Sequence, residues 1–434
     1  MEIIAAGTEI KTITGKTVIV NSLLGEGGNS QVYAADYCGK QMVFKWVDAS
    51  RWGNAAQSFY LCVKGKTDSG SPGSEFIWPL DITEPDGGSF GYVMERFSNQ
   101  YSELTDLLRG HTRFASFKTA VDAALNFVNA CWKLHNKGYI FYNLSDANFI
   151  INPVDGSVRM TDSEEIVPSG TTLNVLGTPR YMAPEIVMGN KMPDKYSDRF
   201  SMSSILFMLI CMAHPLEGKR YLADCLTPAS QKKLYGTDAL FIMDKTNHDN
   251  APDPRVQKNV LVIWPCLPDY VQELFQKAFS STAIQNPNAR PTELDWINTL
   301  VRFRSEIVRC QCGNEVFTQG GLPCLCESCK KKLEIPFRLE FAQYSIPGLP
   351  DSRIYRCQLG PCYAEEALNP MGRVLAKKND PTVLGIRNMS NRSWNAFTSV
   401  GVPRMVAPDE VIPLKDGIQF EYNGTTVIIR KNVA

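Results

Sequence analysis

The most constraining feature of this chain is an ordered series of polar motifs within its first 185 residues. In order, these are Gly25-Glu-Gly-Gly28, Lys45, Asn143-Leu-Ser-Asp-Ala-Asn148, Asp162 and Ala183-Pro-Glu185. Glycine lets backbone amides approach phosphate without a Cβ in the way. A lysine can pair with phosphate, and carboxylate and amide oxygens can hold Mg²⁺. The series therefore predicts a phosphate and metal site built from segments far apart in sequence.

The secondary-structure pattern places this site between two lobes. Residues 1–97 show short strand patterns separated by turn residues, with one helix-like stretch from Arg51 to about Lys64. Residues 104–305 instead show helical periodicity, with helices predicted from Phe117 to Leu134, Tyr196 to Met212 and Tyr270 to Phe279. A small β lobe before a larger α lobe, with motifs in this order, resembles the protein kinase layout.

Composition narrows the class of partner. The formal net charge of the 434 residues is zero, because 45 Lys and Arg balance 45 Asp and Glu, so no overall field favours nucleic acid or a membrane surface. The apolar run Ile205–Ala213 is too short to span a bilayer. The N-terminal residues lack the pattern of a secretory signal. We therefore expect a cytoplasmic protein whose 13 cysteines are free thiols apart from a metal site.

Further segments make the resemblance specific. The chain resembles the bacterial protein-kinase-like family encoded beside a PPM-type phosphatase and a von Willebrand A protein related to tellurite-resistance factors. The shared segments are 25–28, 76–81, 91–95, 177–185 (Gly-Thr-Pro-Arg-Tyr-Met-Ala-Pro-Glu), 214–218, 234–236, 289–291, a cysteine cluster and 384–390. The resemblance implies a serine/threonine-type kinase fold with a zinc-ribbon-like insert and a β domain, and it implies the phosphatase and the von Willebrand A protein as partners.

We therefore expect an α+β protein in four parts. A kinase N-lobe at 1–97 and a kinase C-lobe at 98–305 precede a zinc-ribbon-like module at 306–335 and a β-sandwich-like domain at 336–434. Within the last part, Asn423-Gly424 lies between two strand patterns. Asn-Gly supplies both positive-φ positions of a type I′ turn, which predicts a β-hairpin there.

Residues from both lobes are predicted to bind ATP. Lys45 would pair with the α- and β-phosphates, and Met94 would be the gatekeeper before an adenine-binding hinge. Ser30 replaces the third glycine of the usual loop. The full predicted set is Gly25, Gly27, Gly28, Val32, Lys45, Met94, Glu95, Phe97, Asn148 and Asp162.

The usual helix carboxylate that partners such a lysine is not evident. The stretch from Arg51 to Lys64 contains no Asp or Glu, although burial of a lone ammonium is costly. Three alternatives stay open from the sequence. Gln57 substitutes for it, Glu75 or Asp48 reaches the lysine, or the ion pair is absent.

Asn143 stands where a kinase carries the aspartate that accepts the substrate hydroxyl proton, and an amide cannot accept it at neutral pH. Asp146 could replace that base, although its place three residues later argues against it. Asn148 and Asp162 are the predicted Mg²⁺ ligands. Glu164 and Glu165 either help to bind metal or face water, and we favour the second.

Other motif residues are predicted to be structural. Glu185 should form a buried ion pair with Arg290, locking the segment that carries Ala-Pro-Glu to the helical lobe. Asp198 should accept hydrogen bonds from backbone amides of the Asn143 loop, and His135 should pack beneath that loop.

Five cysteines lie close together between 310 and 329. The pairs Cys310–Cys312 and Cys326–Cys329 predict a structural Zn²⁺ site, because four thiolates leave no open position for chemistry. Cys324 could displace Cys326 or stay free, and the alternative for the whole set is reduced thiols. Cys357 and Cys362 are expected to pack or to stay free.

The sequence leaves three candidate functions. The favoured one is a kinase-like, ATP- and Mg²⁺-binding regulator or scaffold with weak or absent catalysis, because Asn143, Ser30, the missing helix carboxylate and Ser163-Glu-Glu165 all depart from the pattern. The second is an active serine/threonine kinase in which Asn143 is an engineered substitution. The third is an interaction protein acting through 336–434, which resembles a degenerate forkhead-associated domain without a mapped phosphothreonine-binding pair.

Overall fold

The computed structural model describes residues 3–27, 30–48, 56–171, 177–223 and 227–432. Within the first hundred residues, an antiparallel sheet forms in the order β1-β2-β3-β4-β6-β5, with one helix packed on it. Its elements are β1 Glu9–Lys11, β2 Thr17–Glu26, β3 Ser30–Tyr37, β4 Lys40–Val47, α1 Ala56–Ser69, β5 Asp81–Ile82 and β6 Phe90–Glu95. The ring of Phe44 lies so close to β6 that a Cβ at Gly91 would come within 2.1 Å of it, so glycine is required there.

The next two hundred residues are mainly helical, as expected. The helices are α2 Leu104–Leu108, α3 Phe117–Asn136, α4 Pro184–Val187, α5 Lys195–Cys211, α6 Lys219–Ala223, α7 Pro228–Lys232, α8 Lys258–Ile263, α9 Asp269–Ala278, α10 Ser281–Gln285 and α11 Glu293–Glu306. The strands are β7 Ser102–Glu103, β8 Tyr139–Phe141, β9 Phe149–Ile151, β10 Val158–Met160 and β11 Ile166–Pro168. The strands form the small sheets β10-β9-β7 and β11-β8.

Helices α3, α5 and α9 begin and end within two residues of their predicted bounds. The stretch predicted from Arg51 to about Lys64 is corrected, because α1 continues to Ser69, and residues 51–55 lie outside the described residues. Ser116 caps α3 by accepting a hydrogen bond from the Thr119 amide, and Asp194 begins α5 with a capping box. Nearly every residue of α5 after Arg199 is buried, so this helix forms the centre of the lobe. No helix in the described parts of the chain combines the length and apolar character needed to cross a lipid bilayer.

The remaining residues are rich in β structure. Two hairpins come first, β12 Ile307–Arg309 with β13 Glu315–Phe317 and β14 Cys324–Leu325 with β15 Lys332–Leu333. Ten strands follow: β16 Phe337–Glu340, β17 Ser345–Pro347, β18 Arg353–Tyr355, β19 Pro370–Lys377, β20 Asp380–Asn388, β21 Trp394–Phe397, β22 Pro403–Val406, β23 Val411–Pro413, β24 Gln419–Tyr422 and β25 Thr425–Lys431.

These ten strands form two antiparallel sheets around one apolar core. The sheet orders are β17-β16-β25-β24-β21-β22 and β18-β19-β20-β23. Trp394 and Phe420 of the larger sheet stack with ring centroids 4.4 Å apart, and Ile386 of the smaller sheet joins the same core. The predicted hairpin is confirmed, since β24 and β25 pair across Asn423 (φ 50°) and Gly424 (φ 78°).

Candidate functional site

Lys45 and Asp162 come together, although 117 positions separate them. Lys45 lies on β4 opposite Val32 of β3 and Tyr92 of β6, and its side chain is only 13% exposed. The Asp162 Oδ1 atom lies 3.5 Å from the Lys45 Nζ atom, and this carboxylate is 39% exposed. The β lobe and the helical lobe therefore contribute opposite charges to one site, which we call the cleft.

Glu164 is the closest anionic partner of Lys45, and the sequence reasoning missed it. Its carboxylate accepts a hydrogen bond from the Lys45 ammonium and is 14% exposed, so the favoured interpretation that it faces water is wrong. Gln57 is exposed, and Glu75 pairs with Lys133 at 2.9 Å. Neither of these two alternatives partners Lys45.

Lys45, Glu164 and Asp162 shift one another's pKa values. Burial would by itself lower the pKa of Lys45, but Glu164, with Tyr92 and Asp162, raises that pKa well above its usual value. Burial would raise the pKa of Glu164, but the Lys45 ammonium holds it below its usual value. Burial, together with the negative charge of Glu164, raises the pKa of Asp162 to about 6.

Asn143 contacts the segment that carries the Gly-Thr-Pro-Arg motif. Its Oδ1 atom accepts a hydrogen bond of 2.7 Å from the backbone amide of Thr178. A Cβ at Gly177 would lie 2.7 Å from the same oxygen, so glycine permits this approach. The side chain at 143 therefore joins the loop 143–148 to the 177–185 segment without supplying a proton acceptor.

Glu165 extends this polar network, again in contrast to the expectation that it faces water. Asn148 donates from Nδ2 to the Glu165 carboxylate at 2.8 Å, and its Oδ1 accepts from the backbone amide and the hydroxyl of Ser145 at 2.7 and 2.8 Å. Burial, and then the charge of Asp162, raises the pKa of Glu165 to about 7. Asn148 is 2% exposed, and its amide oxygen, a predicted metal ligand, already accepts the two hydrogen bonds from Ser145.

Asp146 is engaged elsewhere. Its Oδ2 atom accepts a hydrogen bond of 2.9 Å from the Thr105 hydroxyl. Burial raises the pKa of Tyr181, and the charge of Asp146 adds to that shift. These contacts agree with the argument against Asp146 as a replacement base.

The other predicted nucleotide-binding residues lie on or beside the six-stranded sheet that carries Lys45. Met94 is partly buried near the end of β6, and Glu95 and Phe97 are exposed. Gly25 lies at the end of β2, and the Gly27 amide donates to the Ser30 carbonyl at 2.8 Å. Gly28 lies outside the described residues. A Cβ built on Gly25 would meet none of the described residues within 4 Å, so packing against them does not demand glycine at this position.

The structural ion pairs and hydrogen bonds form as predicted. Arg290 makes a bidentate pair with Glu185 at 2.8 and 2.7 Å. Asp198 accepts from the Phe141 backbone amide at 2.8 Å and contacts the His135 ring at 3.0 Å. His135 also contacts Glu293 at 2.7 Å, so it is buried beneath the loop between two carboxylates.

The cysteine cluster brings together the four predicted zinc ligands. The sulfur atoms of these residues all lie within 4.8 Å of one another, and they belong to Cys310, Cys312, Cys326 and Cys329. Cys324 packs beside this group but is not part of it. Cys357 is buried against the core of the helical lobe, and Cys362 packs at its edge.

Comparison with known proteins identifies the family. The protein kinase domain model matches residues 18–299, which is more than half of the chain. The chain therefore belongs to the protein kinase domain family. Membership implies the use of ATP and Mg²⁺.

Relatives with assigned activities agree with this family. The DNA damage-responsive serine/threonine-protein kinase RqkA of Deinococcus radiodurans is 24% identical over 283 residues, which are 62% of this chain and 37% of that protein. The serine/threonine-protein kinase nekl-2 of Caenorhabditis elegans is 24% identical over 174 residues, covering 38% of this chain and 48% of that protein. Atypical protein kinase C of Drosophila melanogaster is 35% identical over 107 residues, covering 24% of this chain and 15% of that protein. This chain thus spans less than half the length of these relatives.

Proposed function

We propose that this protein binds Mg²⁺-ATP in the cleft between its lobes, transfers phosphate weakly or not at all, and acts as a regulator or scaffold. The observation that carries the proposal is the contact between Lys45 of the β lobe and Asp162 of the helical lobe. Lys45 and Asp162 lie 3.5 Å apart in the cleft, with Asn143 in the loop that should supply the base. Binding and catalysis therefore depend on different residues of the same site.

Two features support nucleotide binding. Among the described residues, none lies within 4 Å of a Cβ built on Gly25, which leaves room for a ligand to approach the backbone. The more exposed carboxylate beside Lys45 is Asp162, so it is the residue that would hold Mg²⁺ facing the cleft. Asn148 would supply a second oxygen only by leaving Ser145, and Glu165, which it contacts, offers a carboxylate nearby.

One feature supports impaired catalysis. The Asn143 oxygen accepts from the Thr178 amide, as a carboxylate at 143 would, so the loop keeps its position without the base. General-base catalysis contributes roughly 10²–10⁴-fold to a reaction rate. An active kinase is the second candidate, and the serine/threonine kinases among the relatives favour it.

A thermal-shift titration with Mg²⁺-ATP tests binding. We expect a concentration-dependent rise in Tm for the wild-type protein that Lys45→Ala and Asp162→Ala abolish. The matched control is Lys133→Ala, which removes another largely buried lysine, 18% exposed, from an ion pair outside the cleft. A shift that persists in both cleft variants would place nucleotide binding outside the cleft and overturn this proposal. A wild-type protein without any shift would support the third function, an interaction protein that does not bind nucleotide.

We also propose that the cysteine cluster binds a structural Zn²⁺. The Cys310–Cys329 and Cys312–Cys326 sulfur distances are 3.7 and 3.6 Å. Tetrahedral coordination with Zn–S bonds of about 2.3 Å places sulfur atoms about 3.8 Å apart, so the donor set suits this ion. Glu315 of the neighbouring hairpin accepts hydrogen bonds from the first backbone amides of α3, which ties this module to the helical lobe.

Metal analysis of the purified protein tests the zinc site. We expect one zinc per chain, loss of that zinc in Cys312→Ser, and a lower Tm in the same variant. Cys266→Ser is the control, because Cys266 is exposed and outside the cluster. A wild-type protein without zinc would favour reduced thiols.

The proposal has two further parts. The chain divides into four parts after residues 97, 305 and 335, and it has the PPM-type phosphatase and the von Willebrand A protein as partners. The resemblance supports the PPM-type phosphatase and the von Willebrand A protein as partners of a signalling scaffold. Co-purification of each with the full chain, and with a chain truncated after residue 335, tests both partners and the role of 336–434. Failure of both proteins to bind the full chain would remove this part of the proposal.

A further inference from the structure

Helix α1 presents a cation, not a carboxylate, to the cleft. Lys66 is 2% exposed, and its ammonium donates to the backbone carbonyl of Ser163. The Trp78 indole donates to the Lys66 carbonyl at 2.9 Å, which fixes this turn of the helix. The single acid of α1, Asp68, is exposed. The helix therefore offers Lys45 no anionic partner.

Glu164 fills that role from the other lobe. It lies on the buried side of Lys45, beside the fully buried Tyr92 and within the field of Lys66. Asp162, which also contacts Lys45, is nearly three times as exposed. The two carboxylates therefore take different positions around the ammonium, Glu164 inside and Asp162 towards the cleft.

The backbone of this segment produces the arrangement. Asp162 has a left-handed conformation, with φ 46° and ψ 49°, and Ser163–Glu165 form a 3₁₀ turn closed by the Glu165 amide donating to the Asp162 carbonyl at 2.9 Å. A left-handed conformation is uncommon for a residue other than glycine and needs support from its surroundings. The hydrogen bond from Lys66 to Ser163 supplies such support from α1.

We propose that Glu164 is the positioning residue for Lys45, in place of a carboxylate on α1, and that Mg²⁺-nucleotide binding depends on it. This inference rests on the proposed function. It means that the lysine is aligned by the same short segment that carries Asp162. Lys45 and the carboxylate of Asp162 are then positioned together, and α1 contacts their shared segment through Lys66.

Replacing Glu164 by glutamine should therefore redirect Lys45. The ammonium loses its buried charged partner, and the remaining carboxylate, Asp162, is 3.5 Å away. A tighter Lys45–Asp162 pair withdraws Asp162 from Mg²⁺. At the same time, the cleft carries one negative charge fewer, which favours binding of the metal-free ATP anion. Affinities for nucleotide with and without Mg²⁺ should therefore change differently.

Calorimetric titrations of the full chain with ATP, in Mg²⁺ and in EDTA, test this inference. We expect Glu164→Gln to weaken Mg²⁺-ATP binding about tenfold, equivalent to about 1.4 kcal/mol, while metal-free ATP binds as in the wild type or more tightly. The matched control is Glu75→Gln, which removes the charge of another carboxylate paired with a lysine. It should leave both affinities unchanged.

Each other outcome is decisive. Wild-type affinity or tighter binding of Mg²⁺-ATP by Glu164→Gln would show that Glu164 does not position Lys45. A parallel loss of both affinities would show a general structural role and would equally overturn the inference, while the proposed function would stand. A wild-type protein that binds no nucleotide would overturn the proposed function and this inference together.

Discussion

The helical scaffold behind the 143–148 loop and the cleft in front of it differ in what they keep of the kinase pattern. In the scaffold, Arg290 pairs with Glu185, and Asp198 holds the Phe141 amide, as the motifs predict. In the cleft, Lys45 has a new partner in Glu164, and an amide replaces a carboxylate at 143.

This difference shows that fold and chemistry depend on separate sets of polar residues. Removal of one partner from a buried ion pair leaves an uncompensated charge, so the scaffold cannot change one residue at a time. In the cleft, Lys45 has two carboxylate partners, and one of them, Asp162, is 39% exposed. A kinase fold can therefore persist while the polar residues of its cleft change.

The largest effect should follow a change in the scaffold. Arg290→Met leaves the Glu185 carboxylate unpaired and removes hydrogen bonds to the carbonyls of Tyr196 and Ala283. Because Arg290 is 1% exposed, we expect the free energy of unfolding to fall by about 3–5 kcal/mol in urea denaturation. Arg255→Met, which removes an 87% exposed arginine from a surface pair, is the control and should cause no measurable change. Equal effects of the two variants would contradict the role given to the scaffold.

A smaller effect should appear in the pH dependence of stability. Burial would by itself lower the pKa of His135, but hydrogen bonds to Asp198 and Glu293 raise it to about 9. The folded state thus binds this proton more tightly than the unfolded state, where the pKa is about 6.5. The stabilisation is complete below pH 6.5 and is lost as the pH rises to about 9, with an upper limit of roughly 3 kcal/mol.

Unfolding measured from pH 6 to 9.5, with His135→Gln as the comparison, checks this sign. We expect the difference in unfolding free energy between wild type and variant to shrink as the pH rises. His111→Gln changes a histidine that is 65% exposed and should match the wild-type profile. A difference that is constant with pH would mean that the pKa of His135 is the same in the folded and unfolded states, and a difference that grows with pH would mean that His135 is neutral when buried.

The same contrast explains what the sequence could predict. The helices α3, α5 and α9 were predictable because their apolar periodicity and capping residues are local, and the Glu185–Arg290 pair because both residues belong to recognisable motifs. The partner of Lys45 was not predictable. It lies 119 positions away and depends on the left-handed backbone at Asp162, which nothing in the local sequence demands.

The smallest effect on stability, and the most informative for activity, should follow Asn143→Asp. A carboxylate can accept the Thr178 amide hydrogen as the Asn143 oxygen does, so we expect the unfolding free energy to change by less than about 1 kcal/mol. If the base is the main loss, transfer of labelled phosphate from ATP to the chain itself or to a general protein substrate should rise by about 10²–10⁴-fold. The matched control, Asn143→Asp combined with Asp162→Ala, should remain inactive.

An inactive Asn143→Asp protein that still binds Mg²⁺-ATP would sharpen the comparison in a different way. The new carboxylate would lie beside Glu165, whose pKa burial already raises to about 7 with the charge of Asp162, so the two acids would compete for one proton. Restoring activity would then also require Glu165→Gln. The cleft would in that case have diverged as a connected group of carboxylates and amides, not by the loss of a single aspartate.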